Sequence, residues 1–395
     1  MVEKTLIIII DALGYDLLEQ TSFSLSFPNE PVRLVPPYGF GEAALMWSGE
    51  LPQKTGRWNE FKYNPGLSPF RWTRFLPLKP LDILRERFSF RMLYFLDLVV
   101  RRVIKVISAR LSQISSPSTY QIPFSKLRYF LPVHDWETYQ FNSLNGHKTL
   151  FGILKGREIT HCYIGYPELR TDFDVYNKSR EAVKEHQLTI SFFFELDSIE
   201  HWHGKESMEV NKKLNELSGF VNGLVALFKK NNPGGNIIIF SDHGMSRVEK
   251  TIDVESKLKW IGLRDGIDYL SFYDATMARF WFFNEESKMK IIDKLRTIEE
   301  GRILQNSELK EAGLNFKDRT FGDLIFAAKQ GVMIFPNYFQ GKMLFRAVHG
   351  HCPPFRDEYG FFLTDKYVEL GNEIRMENLF KIMLNIMNIN IGASK

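Results

Sequence analysis

Several carboxylate and imidazole side chains are spaced so that they could bind metal ions. Asp197 and His201 are four residues apart, so both side chains point to one side if the segment is helical. Asp242 and His243 are adjacent and follow the apolar run Asn236–Phe240 after a single serine, a position that is costly for polar groups unless something binds them. Each pair also fits a structural role, as a surface ion pair in the first case and a helix cap with a hydrogen-bonded histidine in the second.

Asp11 and His349 are two further candidates. Asp11 directly follows the β-branched run Thr5–Ile10, and His349 lies beside Gly350 in a predicted loop. If all these residues meet in one site, their three carboxylates and three imidazoles suit zinc or manganese. Two such ions close together can stabilise both the attacking and the leaving oxygen of an in-line displacement at phosphorus.

The elements that must position these side chains are short, apolar strands. Three runs are typical of buried parallel strands: Thr5–Ile10, Thr189–Glu195 and Asn236–Phe240. A helical pattern over residues 205–230 separates the last two runs and stops at an Asn-Asn-Pro-Gly-Gly sequence. This alternation predicts an α/β fold with a mostly parallel central sheet covered by helices on both faces. Because ligands bind outside the carboxyl ends of such strands, we expect the three aspartates to converge there.

The stretch from residue 67 to residue 148 differs from this pattern. It is basic, rich in aromatic residues and interrupted by prolines, so we interpret it as an inserted cap or lid, with residues 1–66 and 149–395 forming the metal-binding core. Within it, residues 85–111 predict a basic amphipathic helix whose apolar positions include Leu96, Val103 and Leu111. Such a helix fits either packing on the core with a solvated basic face, or contact with a membrane surface or an anionic substrate.

Composition limits the class of protein. The chain has 395 residues, and its net charge of +4 is too small for this size to indicate binding to a nucleic acid polymer. Cys162 and Cys352 cannot form a disulfide framework, and the apolar run near the N-terminus is too short for a signal sequence or a membrane span. We therefore expect a globular cytoplasmic protein. The sequence does not indicate the oligomeric state.

Taken together, the motifs resemble those of the alkaline phosphatase superfamily, and within it the type I phosphodiesterase and nucleotide pyrophosphatase branch. The order is an aspartate after the first strand, Asp-x-x-x-His, Asp-His-Gly and a late His-Gly. Further matches are Ser48–Pro52, Phe240–Met245 and Asp274–Trp281. The resemblance covers residues 1–63 and about 120–390.

This resemblance implies two divalent metal ions, with zinc expected and manganese as the alternative. One ion is held by Asp197, His201 and His349, and the other by Asp11, Asp242 and His243. The implied activity is that of a metal-dependent phosphoric ester hydrolase, in particular a phosphodiesterase or nucleotide pyrophosphatase. Its substrate is expected to be a small-molecule, glycan or lipid phosphate ester.

One position departs from the family pattern. Members of this family carry a Thr or Ser nucleophile ten residues before the glycine of the Ser/Thr-Gly-x-x-Pro turn, and here Gly39 stands ten residues before Gly49. Three alternatives remain open. In the first, water activated by the metals attacks directly. In the second, Tyr38 or Glu42 replaces the missing group. In the third, the chain is a non-catalytic protein that keeps the metals and recognises an anionic ligand.

Two residues are candidates for contact with substrate. Asn59 lies near the position where family members use an asparagine to hold a phosphate oxygen, and Arg279 could bind a phosphate with its guanidinium fork. Both also fit structural roles, Asn59 in a turn and Arg279 in a strand between aromatic residues. A phosphotransferase remains a further alternative, because the metal site does not choose the acceptor.

Overall fold

The computed structural model describes residues 3–23, 27–28, 30–87, 91–112, 114, 117–133 and 135–390, without the side chains of residues 86–94 and 134–137. The N-terminal Met1 and Val2, and the side chains of Arg87 and Arg91 in the predicted basic helix, therefore lie outside the described residues.

Strands and helices alternate along most of the described chain. The strands are β1 (Thr5–Ile10), β2 (Val32–Val35), β3 (Phe61–Tyr63), β4 (Phe130–Pro132), β5 (Ser143–Leu144), β6 (His147–Lys148), β7 (His161–Ile164), β8 (Leu188–Phe193), β9 (Asn236–Phe240), β10 (Ser246–Arg247), β11 (Lys250–Ile252), β12 (Tyr269–Tyr273), β13 (Met277–Phe282), β14 (Gly301–Ile303), β15 (Leu324–Ala328), β16 (Val332–Ile334), β17 (Ala347–Val348), β18 (Gly360–Thr364) and β19 (Glu373–Arg375). The helices are α1 (Glu42–Ser48), α2 (Pro52–Thr55), α3 (Lys79–Arg87), α4 (Arg91–Leu111), α5 (Leu150–Gly156), α6 (Asp172–Glu185), α7 (Glu195–His203), α8 (Met208–Asn231), α9 (Val254–Leu258), α10 (Glu285–Arg296), α11 (Asn306–Glu311) and α12 (Met376–Ile386).

A seven-stranded sheet forms the centre of the molecule, in the order β19-β2-β18-β9-β1-β8-β7. Strands β7, β8, β1 and β9 are parallel neighbours, and β18 is antiparallel to both of its neighbours. The register pairs Ile10 with Phe193 and Ile9 with Phe240, so β8, β1 and β9 end side by side. This mostly parallel sheet confirms the predicted fold class.

Alternating residues of β1 supply the two faces of the sheet. Leu6, Ile8 and Ile10 are buried in a cluster with α6 and α8, whereas Ile7 and Ile9 are buried in a cluster with α1, α5 and α12. Each face therefore removes apolar side chains from water, which explains why the strand is apolar at every position after Thr5. Helices on both sides hold the carboxyl edge of the sheet in a fixed place.

A second, antiparallel sheet lies in the order β12-β13-β15-β14, within the region that the sequence assigned to one core. Apolar residues of the predicted cap, such as Phe70, Ile104 and Phe124, share one buried cluster with this sheet. Much of the segment between residues 67 and 148 thus packs with the second sheet, whereas Tyr139 packs against the cluster of the central sheet. The division of the chain into core and cap stays a prediction.

Two predicted elements differ from the observed ones. The strand expected over residues 189–195 ends at Phe193, and α7 begins at Glu195, so Asp197 lies in the first turn of a helix. The predicted basic helix is present as α4, but several of its apolar positions, including Leu96, Val103 and Leu111, are exposed rather than packed on the core. Among the described helices, none is long and apolar enough to cross a membrane.

Candidate metal centre

Six side chains from four places in the chain meet at the carboxyl edge of the central sheet. Asp11 follows β1, and Asp242 and His243 follow β9. Asp197 and His201 lie one turn apart in α7, while His349 follows the short strand β17. Because β8, β1 and β9 end side by side, these segments start from neighbouring positions.

The six side chains form two groups of three. Asp197, His201 and His349 make the first group, and Asp11, Asp242 and His243 make the second. In each group, one ligand atom per residue lies within 4.8 Å of the others. Ligands about 2 Å from a shared ion lie within about 4 Å of each other, so the atoms of each group need to move only slightly to coordinate one ion.

In the first group, a carboxylate oxygen faces two imidazole nitrogens. Asp197 Oδ1 lies 3.4 Å from His201 Nε2 and 3.7 Å from His349 Nε2. The 2.8 Å contact between His201 Nδ1 and the carbonyl oxygen of Ala347 places the proton on Nδ1. In neutral His201, Nε2 therefore turns a lone pair towards Asp197. Among the described residues, Asp197 Oδ1 is also a buried atom without a hydrogen-bond partner.

The second group repeats this arrangement. His243 Nδ1 lies 3.1 Å from the carbonyl oxygen of Gly244, and His243 Nε2 lies 3.4 Å from Asp11 Oδ1. Asp242 Oδ1 accepts hydrogen bonds from the backbone N–H groups of Ala12 and His243, which fixes its carboxylate beside Asp11. In both groups, a backbone carbonyl orients a histidine so that its free nitrogen points at a carboxylate.

The two groups are adjacent. The rings of His243 and His349, one from each group, are stacked with centroids 3.8 Å apart and an interplanar angle of 7°. The ring of Phe40 contacts His349 edge-on, with centroids 5.7 Å apart. Two ions bound in these groups would therefore be close neighbours, as a two-metal reaction requires.

The pKa shifts in the site show that its carboxylates lack a compensating positive charge. Burial, together with the charges of Asp242 and Asp197, raises the pKa of Asp11 well above its usual value. Burial also raises the pKa of Asp242, and it lowers that of His349 well below the usual value. Burial alone lowers the pKa of His243, but the carboxylates of Asp242, Glu42 and Asp197 outweigh it and raise the value to about 8. These residues fit divalent cations, which would compensate the buried carboxylates.

A buried ionic cluster holds the helix that carries the first group. The carboxylate of Asp172, the first residue of α6, accepts hydrogen bonds from the backbone N–H groups of Phe194 and Glu195, where α7 begins. Lys213 of α8 lies 3.0 Å from Asp172 Oδ2 and 2.7 Å from Glu195 Oε2. Asp172 thus supplies the helix cap that α7 lacks in its own sequence. Sequence reasoning missed this residue, because no local pattern links it to α7.

A second buried pair joins the loops that carry His243 and His349. Both carboxylate oxygens of Glu358 contact His351, one at the backbone N–H and the other at ring nitrogen Nδ1. The backbone carbonyl of Glu358 accepts a hydrogen bond from the N–H of Gly244. The carbonyl of His351 in turn accepts one from the N–H of Gly39. This chain of contacts fixes the loops of both groups relative to position 39.

Gly39 adopts a left-handed backbone, with φ of +72°. A Cβ atom at this position would lie 2.6 Å from Met277 Cε and 3.1 Å from Trp58 Nε1. Both neighbours are fully buried, and Trp58 is held by a hydrogen bond to the carbonyl of Tyr38. A side chain at position 39 would therefore enter an occupied apolar cluster.

Glu42 and Tyr38, the two candidates to replace the missing hydroxyl nucleophile, lie in different surroundings. Glu42 begins α1, and its charge acts on the pKa values of both Asp11 and His243. Tyr38 lines a different cavity, of about 170 Å³, and the pKa of its phenol is raised first by burial and then by Glu308. Only the Glu42 carboxylate thus shares the electrostatic environment of the second group.

Asn59 and Arg279, predicted to contact substrate, form a hydrogen bond with each other. Arg279 is fully buried and donates to Asp274, to the carbonyl of Phe61 and to Asn59 Oδ1. The side-chain amide of Asn59 donates to Asp274 Oδ1. Their hydrogen-bonding groups are thus engaged within the protein, an arrangement that favours the structural interpretation of both residues. Contact with substrate stays a prediction.

Comparison with known families identifies the chain. The sequence model of the type I phosphodiesterase / nucleotide pyrophosphatase family matches residues 119–350, more than half of the chain. The chain belongs to this family. The matched region contains five of the six side chains, all except Asp11. The predicted membership of the alkaline phosphatase superfamily is confirmed.

Solved structures of the family share the fold over the whole chain. Human ectonucleotide pyrophosphatase/phosphodiesterase 5 is 14% identical, with a TM-score of 0.65 over 100% of this chain and 97% of its own. The murine protein, as an inactive variant in complex with AMP, is 13% identical, with a TM-score of 0.67 over the same shares. No curated protein sequence matches the chain.

Proposed function

We propose that this protein is a metal-dependent phosphodiesterase that holds one divalent ion on Asp197, His201 and His349, and a second on Asp11, Asp242 and His243. The observation that carries this proposal is the repeated arrangement in which a histidine nitrogen, oriented by a backbone carbonyl, faces a buried carboxylate oxygen at 3.4 Å. The raised pKa values of Asp11 and His243 indicate that the second pair favours a proton in the absence of another positive charge, and a divalent cation between the two atoms would replace that proton. Zinc is the preferred ion because imidazole and carboxylate ligands both suit it.

The arrangement of the two groups determines what each part contributes. A pair of divalent ions would lower the pKa of a bound water and stabilise the charge that develops on the phosphoryl oxygens. The backbone carbonyls of Ala347 and Gly244 keep His201 and His243 in the tautomer that leaves Nε2 free. The ring of Phe40 packs edge-on against His349 and would help to hold its imidazole in place.

Water is the attacking group in this proposal. Gly39 offers no hydroxyl, and its backbone directs any added side chain towards Met277 and Trp58. The Glu42 carboxylate, which acts on both Asp11 and His243, is the group proposed to accept the proton of that water. In the murine relative, a variant with one threonine replaced by alanine is described as inactive. This chain is proposed to do the hydrolysis without such a residue.

The proposed substrates are small phosphate esters of the nucleotide type. The murine relative forms a complex with AMP, and this supports a nucleotide monoester or diester as the first substrate to examine. Glycan and lipid phosphate esters remain candidates of the same chemistry. Cys162 and Cys352 are both unpaired, which agrees with the proposed cytoplasmic location.

The test compares metal content and hydrolysis in two matched variants. His201→Ala removes a ligand, whereas His203→Ala removes an exposed histidine two residues further along α7. We expect close to two zinc ions per chain in the wild type and in His203→Ala, and about one in His201→Ala. Hydrolysis of bis(p-nitrophenyl) phosphate should be abolished by a chelator and by His201→Ala only. Metal content near zero in the gently purified wild type would refute the proposal.

A non-catalytic, metal-binding protein is the second candidate, because Gly39 removes the hydroxyl nucleophile that the family uses. In that case the wild type still holds two ions, and AMP protects it against thermal unfolding, but no ester is hydrolysed. Metal content together with turnover thus separates the two functions.

A further inference from the structure

The hairpin of α3 and α4 buries charged residues beside Ile104 and leaves many of its apolar residues exposed. Asp97 and Arg101 of α4 are 7% and 5% exposed and form an ion pair with an N–O distance of 2.8 Å. Arg101 also donates to the carbonyl of Ile122. In α3, the buried carboxylate of Asp82 accepts hydrogen bonds from the N–H groups of Phe124 and Ser125. Both helices are therefore attached to the protein through polar contacts.

The outward face of this hairpin is apolar. In α4, Val103 is 50% exposed, and Leu96, Leu98, Val99, Val106 and Leu111 are exposed as well. Before α3, Phe75 is 75% exposed. The outward apolar residues, which we call the hairpin face, are Leu67, Phe75, Leu76, Ile83, Leu84, Phe95, Leu96, Leu98, Val99, Val103, Val106 and Leu111. Exposed apolar side chains in this number on one hairpin indicate an interaction site.

The charges around the hairpin face are positive. Arg71, Arg74, Lys79, Arg102 and Arg110 are all exposed. Asp82 and Asp97, the acidic residues whose side chains are described between positions 67 and 111, are both buried. A surface that exposes apolar side chains together with cations is complementary to lipid headgroups of negative charge above acyl chains.

We propose that the hairpin face binds the protein to the surface of an anionic lipid bilayer. The helices lie in the plane of the headgroups, with Val99 and Val103 among the acyl chains and Arg102 beside lipid phosphates. A second copy of the chain is a poorer occupant, because a symmetric contact would place the same arginines against each other. Contact at the surface also agrees with the finding that none of the described helices is suited to span a membrane.

The experiment measures sedimentation of the full-length protein with lipid vesicles. We expect binding to vesicles that contain phosphatidylglycerol, weaker binding to phosphatidylcholine alone, and weakening by added salt. The pair Val99→Glu with Val103→Glu should lower the partition coefficient by at least about tenfold, because it removes apolar area and adds charge repelled by the lipid. Arg102→Glu should weaken binding to the anionic vesicles while leaving the weak binding to phosphatidylcholine unchanged.

Matched variants on other helices serve as the control. Met208→Glu with Met289→Glu replaces two exposed apolar residues of α8 and α10 and should leave vesicle binding unchanged. Equal thermal unfolding temperatures and metal content establish that all variants fold. The proposal is overturned if the wild type ignores anionic vesicles, or if both pairs of variants reduce binding equally. It is also overturned if light scattering shows a dimer that Val103→Glu dissociates, since a second copy then covers this face.

Discussion

Gly39 has a left-handed backbone, and the direction of its absent Cβ atom leads to Trp58 and Met277. The carbonyl of Gly39 lies 3.2 Å from the position that a Cβ on Gly350 would take, and its N–H is bonded to the carbonyl of His351. The backbone at position 39 is therefore packed against the loop that carries His349. The loss of the hydroxyl is thus built into the local backbone conformation, and restoring the side chain alone would not restore its chemistry.

Gly39→Ser is expected to lower stability without producing hydroxyl-dependent turnover. The left-handed conformation costs a residue with a Cβ atom about 1–2 kcal/mol, and the contact with Met277 adds to this cost. Gly39→Ala is the matched control, because it carries the same Cβ without the oxygen. Thermal unfolding should drop equally in both variants, and hydrolysis of an aryl phosphodiester should be equal too. Activity of the serine variant clearly above that of the alanine variant would instead show a silenced covalent enzyme.

Substitutions of Glu42 and Tyr38 are expected to differ in their effect on kcat. Glu42→Gln keeps the shape of the side chain but cannot accept a proton, so we expect kcat to fall by about a hundredfold, the lower range for loss of a general base. Tyr38→Phe should change kcat little, since the charges that act on Tyr38 come from Glu308, Glu311 and Arg302. Both variants should retain two metal ions. A larger loss for Tyr38→Phe would assign the role to the phenol.

At the level of elements, the sequence located the strand ends before Asp11 and Asp242. It did not reveal the long-range contacts that hold α7 in place. Runs of β-branched residues before Asp11 and Asp242 located both side chains at the carboxyl edge, because period and flanking residues are local signals. The contact of Asp172 with the start of α7 spans a helix and a strand, so no local pattern could reveal it. The exposure of the apolar residues of α4 could not be predicted from the sequence either. Helical periodicity shows that Leu96 and Val103 share a side, but not which side is covered.

Asp172→Ala should weaken the first metal group more than the second. The substitution leaves the N–H groups of Phe194 and Glu195 without their cap and removes one of the partners of Lys213. We expect a loss of about 1–3 kcal/mol in stability. The affinity for one of the two zinc ions should fall by about tenfold to a hundredfold, as for other residues that orient ligands. Competition with a chromogenic chelator measures both ions.

Glu181→Ala provides the comparison for Asp172→Ala, since it removes an exposed carboxylate from the same helix. It should leave stability and both zinc affinities unchanged. An equal loss of affinity at both metal groups in Asp172→Ala would indicate general loosening of the fold instead of a specific effect on α7.

At the scale of the whole molecule, the metal centre and the second sheet belong to different cores. The candidate metal ligands lie around the seven-stranded sheet, after β1, β9 and β17 or within α7. Strands β12 and β13 are instead buried in a cluster that they share with residues 67–148. Ions bound at the sheet edge would compensate carboxylates from distant parts of the chain. Their contribution to stability is therefore expected to concentrate at that edge, where removal leaves Asp11, Asp197 and Asp242 close to one another.

Removal of the metals by a chelator should destabilise the edge of the central sheet and leave the second sheet intact. With free zinc at a hundred times its dissociation constant, each site adds about 2.7 kcal/mol to the free energy of unfolding, so the unfolding temperature should fall on chelation and recover when zinc is restored.

Hydrogen exchange then shows which segments the metals stabilise. Peptides that cover α7 and the segments after β9 and β17 should exchange faster without metal, because repulsion among the carboxylates opens these segments. Peptides that cover β12 and β13 should not change, since their burial does not depend on the ions. Uniform acceleration over both sheets would mean that the ions stabilise the molecule as one cooperative unit, and no change at all would mean that the six side chains hold no metal.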